Sequence, residues 1–165
     1  MTSATAPSLT LVTSSLGNPD ARKLADQLDG ELATIYGGPN TGRDTAVPTD
    51  LAPPHGLFLL GYLKDVAVAC GGIRLRRDLP HAELTAEIKR MYVAPEARGR
   101  GYGAQILRTL EEHARAAGAT RAVLESGILS RNAVRLYTAA GYEMIEPYSG
   151  QYPGSRTNKG FSRLL

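Results

Sequence analysis

The sequence is poor in cysteine and has no long apolar run, and each shortage excludes a class of protein. Cys70 is the single cysteine among 165 residues, so an intramolecular disulfide framework is excluded. It lies in the apolar segment Val66–Cys70, where a buried strand residue is favoured over a catalytic thiol, which needs exposure and a nearby base. No apolar stretch reaches the ~20 residues that span a bilayer, so we expect no membrane partner.

The N-terminal stretch Met1–Leu16 lacks the basic start and the sustained apolar core of a secretory signal. We therefore expect a cytoplasmic protein. Its length fits one domain over residues 1–165, and its 42% hydrophobic and 21% charged residues are near the averages for soluble globular proteins. The net charge of +3 favours anionic ligands without requiring nucleic acid.

Histidines are few and scattered. His55, His81 and His113 do not cluster at the spacing of metal ligands, and no set of Cys, Asp or Glu accompanies them. We therefore expect no metal site.

Turn and cap signals divide the first half of the chain into a helix and a hairpin. Asn18-Pro19-Asp20 supplies an N-cap, an N1 proline and an early acid, and Gly37-Gly38 supplies a C-terminal glycine, so a helix is predicted between them. The β-rich runs Leu57–Leu63 and Val66–Leu75 are separated only by Lys64-Asp65, which predicts an antiparallel hairpin. The paired glycines of the second run suggest a bulge or a close backbone approach.

The second half begins with a crossover unit of strand, helix and strand. Glu87–Val93 alternates in part, apolar residues at helical spacing follow from Ile106 to Ala117, and Arg121–Glu125 is a short strand. The two strands of such a unit are parallel. Beyond it we expect a helix capped by Ser130 or Asn132 and ended by Gly141, then strands at Tyr142–Ile145 and Gly160–Leu164. The predicted fold class is α/β with a mixed sheet.

The segment between the predicted strand Glu87–Val93 and the helix that follows it has the composition of an anion-binding turn. It reads Arg98-Gly99-Arg100-Gly101-Tyr102-Gly103. Glycines let the backbone approach a ligand, unpaired N–H groups at a helix N-terminus point at it, and the helix dipole favours negative charge. Two arginines add donors that match phosphate geometry. The alternative is a plain strand-to-helix turn on a solvated basic face.

Three other phosphate or nucleic-acid motifs fit less well. A Walker A loop is excluded because the segment contains no Gly-Lys-Ser/Thr. Gly99, Gly101 and Ala104 fit the dinucleotide fingerprint with Glu125 as the ribose acid, but Ala94–Arg98 separates the strand from the first glycine and the remaining chain is too short for a second half. An RNA-binding arginine-glycine tract is disfavoured because this segment opens a well-patterned helix.

Two separate motifs give the chain a family resemblance. Glu87-Ile-Lys-Arg-Met-Tyr-Val93, followed by Pro95-Glu-Ala-Arg98-Gly-Arg-Gly101-Tyr-Gly103, resembles the acetyl-CoA motif R/Q-x-x-G-x-G/A of the GNAT N-acetyltransferase superfamily. Asn132-Ala-Val-Arg-Leu-Tyr137, followed by Gly141-Tyr142, is similar to the second signature of that family. Together they cover roughly Glu87 to Ile145 in the family's order.

The resemblance implies a fold and a cofactor site. It implies a mostly antiparallel sheet whose fourth and fifth strands are parallel and splayed, here near Met91–Val93 and Leu124–Ser126, with the pantetheine arm of acetyl-CoA between them. The pyrophosphate is expected on backbone N–H groups from Arg98 to Ala104. The cofactor-binding residues it implies are Met91, Tyr92, Val93, Arg98, Gly99, Arg100, Gly101, Tyr102, Gly103, Ala104, Asn132 and Tyr137.

The resemblance also assigns catalytic roles. Glu87 matches the family's strand glutamate that acts as general base in histone acetyltransferases, directly or through water; pairing with Lys89 or Arg90 on a surface strand is the alternative. Tyr137 matches the tyrosine that protonates the departing thiolate, against ordinary packing on an apolar stripe. Val93 is expected to stabilise the oxyanion through its backbone N–H.

The acceptor is the part the sequence leaves open. In the resembled family, acceptors are recognised by the first helix, the loop after it and the last hairpin, here Leu32–Gly56 and Pro147–Gly160. Many relatives end in Phe-Glu-Lys-x-Leu, whereas this chain has Ser162 in place of the glutamate. We expect transfer of acetyl from acetyl-CoA to a small primary amine or amino acid. A protein or peptide acetyltransferase and a noncatalytic CoA sensor are the alternatives. Nucleic acid is not an expected partner, and assembly as a homodimer is left open.

Overall fold

Three helices and seven strands make up the described part of the chain. The computed structural model describes residues 7–38, 46–79 and 83–165. The elements in chain order are β1 (Thr10–Thr13), α1 (Pro19–Tyr36), β2 (Gly56–Leu63), β3 (Val66–Arg76), β4 (Thr85–Val93), a short 3₁₀ turn (Pro95–Ala97), α2 (Tyr102–Ala116), β5 (Arg121–Gly127), α3 (Arg131–Ala139), β6 (Glu143–Ile145) and β7 (Asn158–Leu164).

The strands form one mixed sheet in the order β1-β2-β3-β4-β5-β7-β6. Every neighbouring pair is antiparallel except β4 and β5, which are parallel. This confirms the predicted fold class, because the crossover through α2 is the single connection that places two consecutive strands side by side in the same direction.

Local signals set the ends of α1. The Asn18 side chain accepts a hydrogen bond of 2.8 Å from the backbone N–H of Asp20, and Pro19 occupies N1. At the other end Gly37 adopts φ 74°, a left-handed conformation that glycine reaches without a steric penalty. Both predicted boundaries are confirmed.

The hairpin of β2 and β3 is also confirmed, with Lys64 in a left-handed turn conformation at φ 54°. Of the two alternatives that the paired glycines suggested, the bulge lies on the neighbouring strand β4. Cys70 pairs with Tyr92 and Gly72 pairs with Lys89, so the extra residue is on β4 and not among the paired glycines of β3. Arg90 adopts a left-handed conformation with φ 57° at this bulge. Such a bulge increases the local twist of the strand.

Gly71 serves a close packing contact instead. A Cβ at this position would lie 2.4 Å from the Met91 sulfur and 2.8 Å from Cγ2 of Ile106. Helix α2 therefore packs on the face of the sheet to which Gly71 points. An added Cβ on Gly72 would meet Phe58 and Leu51 on the opposite face, as expected because successive strand residues alternate between faces.

The parallel strands separate soon after they pair. Thr85, Ala86 and Glu87 pair with Arg121 to Val123, and no later residue of β4 pairs with β5, although β4 continues to Val93 and β5 to Gly127. The predicted split of the sheet is confirmed. The β4 bulge at Arg90 follows the last paired residue and bends the strand further along the split.

Candidate active site

The split opens into a cleft of about 1170 Å³ between β4 and β5. Helix α1 borders it on one side, and the starts of α2 and α3 and the segment before β7 border it elsewhere. Most of the cofactor-binding residues predicted from the sequence line this cleft: Met91, Tyr92, Val93, Arg98, Gly99, Gly101, Tyr102, Gly103, Ala104, Asn132 and Tyr137. Arg100 and Glu87 are not among its lining residues.

The turn into α2 has the geometry of an anion cradle. Gly99 and Gly101 adopt φ 76° and φ 80°, conformations that bring successive N–H groups to one side of the chain. None of the backbone N–H groups from Gly99 to Ala104 is donated to any described residue, because the first helical hydrogen bond runs from Gln105 to the Gly101 carbonyl. These amides and the helix dipole fit a diphosphate.

Arg98 contributes differently from the expectation. Its backbone N–H is donated to the Pro95 carbonyl, and its side-chain Nε is donated to the Val93 carbonyl at 2.8 Å. Its Nη2 lies 2.5 Å from a Glu31 carboxylate oxygen on α1. The guanidinium is thus engaged with α1 and the end of β4, over the Tyr92 ring at 5.5 Å. The sequence reasoning missed Glu31, because no local signal links α1 to this turn.

The other residues of the turn have different environments. Arg100 is exposed and does not line the cleft. The Tyr102 side chain is buried, and its hydroxyl donates to the Pro7 carbonyl at 2.6 Å. A Cβ on Gly103 would lie 3.3 Å from Leu136, so this glycine lets α2 and α3 approach each other. The backbone amides of this segment remain the groups available to a ligand.

Strand register shows which way the Val93 amide points. Ala94 donates its N–H to the Val68 carbonyl at 2.7 Å, and Val93 is opposite Ala69. In an antiparallel pair, residues alternate between those that exchange hydrogen bonds and those that do not. Val93 therefore turns its N–H and C=O away from β3 and toward the gap. Because the Val93 carbonyl already accepts a hydrogen bond from Arg98, the Val93 N–H is the group that remains for a ligand.

Tyr137 lies in the wall of the cleft within an aromatic cluster. It is 5% exposed, and its ring centroid lies 5.8 Å from that of Tyr142 and 6.0 Å from that of Phe161. No hydrogen bond joins its hydroxyl to a residue within the described ranges. Burial raises the pKa of the Tyr137 phenol well above its ordinary value. A protonated phenol beside a cleft is a suitable proton donor.

Glu87 is buried in a cluster of charges on the sheet face opposite α2. It is 1% exposed, and Oε2 accepts hydrogen bonds from Arg74 Nε and from Arg76 Nη1 at 3.1 Å. Lys89 Nζ lies 3.5 Å from Oε1. Burial opposes ionisation, but Lys89, Arg74 and Arg76 outweigh it and hold the pKa of Glu87 below its ordinary value. The expected pairing with Lys89 is present, in a strand that is not on the surface.

A tyrosine from a distant segment completes this cluster. The Tyr148 hydroxyl donates to Oε1 of Glu87 at 3.2 Å, while the Tyr148 backbone N–H donates to Glu125 at 2.6 Å. Tyr148 therefore spans from β5 to β4 close to the point where they separate. Sequence reasoning missed this residue, since it lies in a segment without periodicity.

Glu125 fastens the segment between β6 and β7. Its carboxylate accepts hydrogen bonds from the N–H groups of Tyr148 and Ser149, from the Ser149 hydroxyl at 2.5 Å and from the Asn158 amide at 3.2 Å. The sequence singled out Glu125 only as a ribose ligand of a dinucleotide fold. The structure gives it a different role, as the anchor of a loop that borders the cleft.

The remaining sequence predictions concern the cysteine, metal ligands, the acceptor loop and membrane spans. Cys70 is buried and donates through Sγ to the Arg90 carbonyl at 3.2 Å, and burial raises the pKa of its thiol to about 12. Among the described residues, no three His, Cys, Asp or Glu side chains gather as metal ligands; His81 lies outside those residues, as do residues 39–45 of the predicted acceptor loop. In residues 7–38, 46–79 and 83–165, no helix has the length and apolar character to cross a membrane.

A parallel strand pair that parts over a cleft, with free amides at one end of it, is the arrangement that the family resemblance implies for an acyl-CoA-dependent N-acyltransferase. Comparison with known proteins agrees: the model of the Acetyltransferase (GNAT) family matches residues 22–142. The chain therefore belongs to the GNAT family and is an N-acetyltransferase that uses acetyl-CoA.

Individual relatives give the same result. An IAA acetyltransferase of Azospirillum brasilense is 29% identical over 147 residues, 89% of this chain and 92% of that protein. An aminoalkylphosphonate N-acetyltransferase of Salmonella typhimurium is 33% identical over 94 residues, 57% of this chain and 61% of that protein. A crystal structure from Klebsiella pneumoniae, described as an acyl-CoA N-acyltransferase, superposes with a TM-score of 0.77 at 25% identity and covers 95% of this chain and 97% of its own.

Proposed function

We propose that the enzyme acetylates the primary amine of a small molecule, such as an amino acid, by direct attack on the acetyl-CoA thioester. The observation that carries the proposal is a set of hydrogen bonds that fix the elements bordering the cleft. Glu125 holds the segment before β7 against β5, and Tyr36 of α1 bonds to Ser130 at the start of α3. A compact amine fits such an opening better than an extended peptide.

One relative supports this acceptor class. The Salmonella protein is named for an aminoalkylphosphonate, a small amine. We extend the same class to this chain because its own cleft is bordered by the fastened segment. We further propose that residues 1–165 form one such domain, that it works in the cytoplasm on a soluble acceptor, and that it does so as a monomer or a homodimer.

In the proposed mechanism the turn from Gly99 to Ala104 binds the diphosphate of acetyl-CoA through its free N–H groups. Met91, Tyr92 and Asn132 border the path of the pantetheine arm. The Val93 N–H donates to the carbonyl oxygen of the acetyl group as negative charge develops there. When the carbon–sulfur bond breaks, the Tyr137 hydroxyl gives its proton to the sulfur, and coenzyme A leaves as a thiol.

The attacking amine must lose a proton, and Glu87 is the proposed base. Because Glu87 is 1% exposed and does not line the cleft, the proton needs an intermediary. Tyr148 does not line the cleft either, so we propose that water molecules carry the proton from the amine to Glu87, past the Tyr148 hydroxyl that lies 3.2 Å from Oε1. The cations around Glu87 keep it ionised across the neutral range, so it can accept the proton whenever the amine is bound.

A panel assay tests the proposal. The purified protein is given acetyl-CoA with amino acids, aminoalkylphosphonates, polyamines, aminoglycosides or peptides, and the release of the coenzyme A thiol is followed with a thiol reagent. The buried Cys70 does not disturb the signal, because a thiol with a pKa of about 12 reacts slowly. We expect turnover with one class of small amine. Turnover with peptides alone would replace the proposed acceptor, and CoA binding without turnover on any amine would favour a sensor.

A further inference from the structure

The residue that begins α3 does not cap it. Ser130 is the N-cap of this helix, and a serine there normally accepts a hydrogen bond from the N–H of the second or third helical residue. Its side chain makes no such bond, and its backbone angles of φ −77° and ψ 70° differ from the usual extended cap. The Ser130 hydroxyl therefore does not cap α3.

A hydrogen bond to Tyr36, at the end of α1, holds the Ser130 hydroxyl away from the cap position. The Tyr36 hydroxyl is hydrogen bonded to Ser130 Oγ at 3.1 Å and accepts the Ser130 N–H at 3.2 Å. The contact depends on Gly127, since a Cβ there would lie 1.8 Å from the Tyr36 hydroxyl oxygen. A glycine at the end of β5 thus creates the space for a side chain that reaches from α1 to α3.

The consequence is a pair of free amides in the cleft wall. No described residue accepts the backbone N–H of Asn132 or Ala133, and the first helical bond of α3 runs from Val134 to the Ser130 carbonyl. Both residues line the same cleft as the turn at Gly99. Amides at a helix N-terminus attract carbonyl oxygens and anions, so they are suited to a polar group of the cofactor.

We propose that Tyr36 is a positioning residue for acetyl-CoA: by holding the Ser130 hydroxyl, it keeps the Asn132 and Ala133 amides open to the cofactor. This rests on the proposed position of acetyl-CoA in the cleft. It goes beyond that proposal because Tyr36 touches no reacting atom and acts through Ser130. The competing explanation is that Tyr36 merely ties α1 to α3 for stability.

The two explanations differ in what happens when Ser130 is also changed. In Tyr36→Phe the ring stays, but the released Ser130 hydroxyl is able to rotate onto the free amides and cap α3. An N-cap contributes about 1 kcal/mol, so the cofactor has to displace it and the Kd for CoA is expected to rise about 5-fold. In Tyr36→Phe/Ser130→Ala the competing hydroxyl is gone, and the Kd is expected to return to within about 2-fold of the wild-type value.

Calorimetric titration of the full chain with CoA measures these values, with Ser130→Ala alone as the matched control. That variant is expected to bind as the wild type does, because in the wild type the Ser130 hydroxyl is bonded to Tyr36 and does not compete for the amides. Thermal unfolding of the ligand-free proteins shows that every variant is folded. If either variant that carries Tyr36→Phe fails to fold, Gly127→Ala provides the same test, since its Cβ displaces Tyr36 and Ser130→Ala added to it must restore affinity.

A double variant that binds no better than Tyr36→Phe alone would overturn the inference in favour of a simple tie. An unchanged Kd in Tyr36→Phe would overturn it as well. Neither result affects the proposed function, provided that the wild type binds CoA. A wild type without affinity for CoA would instead remove the proposed site, and the inference with it.

Discussion

Arg98 Nε donates a hydrogen bond of 2.8 Å to the backbone carbonyl of Val93. This bond joins the first residue of the glycine turn to the last residue of β4. It occupies the one polar group of Val93 that would repel a developing negative charge, and in the proposed mechanism it leaves the N–H for the acetyl carbonyl. Arg98, which the sequence predicts to bind the cofactor, is therefore proposed to shape the oxyanion site as well.

Replacing Arg98 tests this task. Arg98→Met removes a bond from a charged donor to the Val93 carbonyl and the ion pair with Glu31. The free energy of unfolding is expected to fall by about 1.5–3 kcal/mol, the usual range for hydrogen bonds to charged groups, and kcat is expected to fall with it. Denaturant unfolding and steady-state kinetics measure both. Arg108→Met, an exposed change on α2, is the control and should stay within about 0.5 kcal/mol of the wild type.

Gly101 tests the position of the diphosphate. An added Cβ meets nothing within 4 Å, but φ of 80° strains any other residue. Both Gly101→Glu and Gly101→Gln carry this strain and have nearly equal size, so the difference between their CoA affinities isolates the added charge. We expect Gly101→Glu to bind CoA at least about 10-fold more weakly than Gly101→Gln, a difference of about 1.4 kcal/mol. Equal affinities in calorimetry would place the diphosphate elsewhere.

Tyr137→Phe is expected to lower kcat by roughly 10- to 10⁴-fold, the usual contribution of general acid catalysis, with CoA affinity retained. Tyr142→Phe removes a hydroxyl bonded to Glu111 in the same aromatic cluster and serves as the control, with kcat kept. Because burial raises the pKa of Tyr137 above its ordinary value of 10.0, its phenol stays protonated at lower pH. The wild-type kcat should therefore show no loss from this group up to pH 10.0, and a decline below that pH that disappears in Tyr137→Phe would contradict the assignment of its pKa.

Glu87→Gln is expected to destabilise the protein by about 3–5 kcal/mol at neutral pH, the range for breaking a buried ion pair. Arg74, Arg76 and Lys89 hold the pKa of Glu87 below its ordinary value of 4.5, so the carboxylate stabilises the fold above that pH and the contribution is lost as the pH falls through the lowered pKa. The difference between variant and wild type should then shrink in acid. Asp78→Asn, which changes an exposed partner of Arg76, should cost no more than about 1 kcal/mol. A pH-independent difference for Glu87→Gln would show that its charge is not what stabilises the cluster.

Much of the fold follows from local chemistry. The N-cap at Asn18, the glycine at Gly37 and the turn at Lys64 each act over a few residues, and the structure confirms all three. The paired glycines were compatible with either a bulge or a close backbone approach, and the structure shows the close approach at Gly71. Only the position of α2 over Gly71 distinguishes them.

The sequence by itself determined the glycine turn, the crossover unit and the two family motifs, because each depends on residues that are close along the chain. The tertiary structure alone decided which groups those elements face. Glu87 accepts hydrogen bonds from Arg74 on β3 and from Tyr148 in the segment before β7. Ser130 is hydrogen bonded to Tyr36 on α1. These partners are far apart in sequence, and strand register, the β4 bulge and helix packing bring them together, so no periodicity or spacing along the chain specifies their contacts.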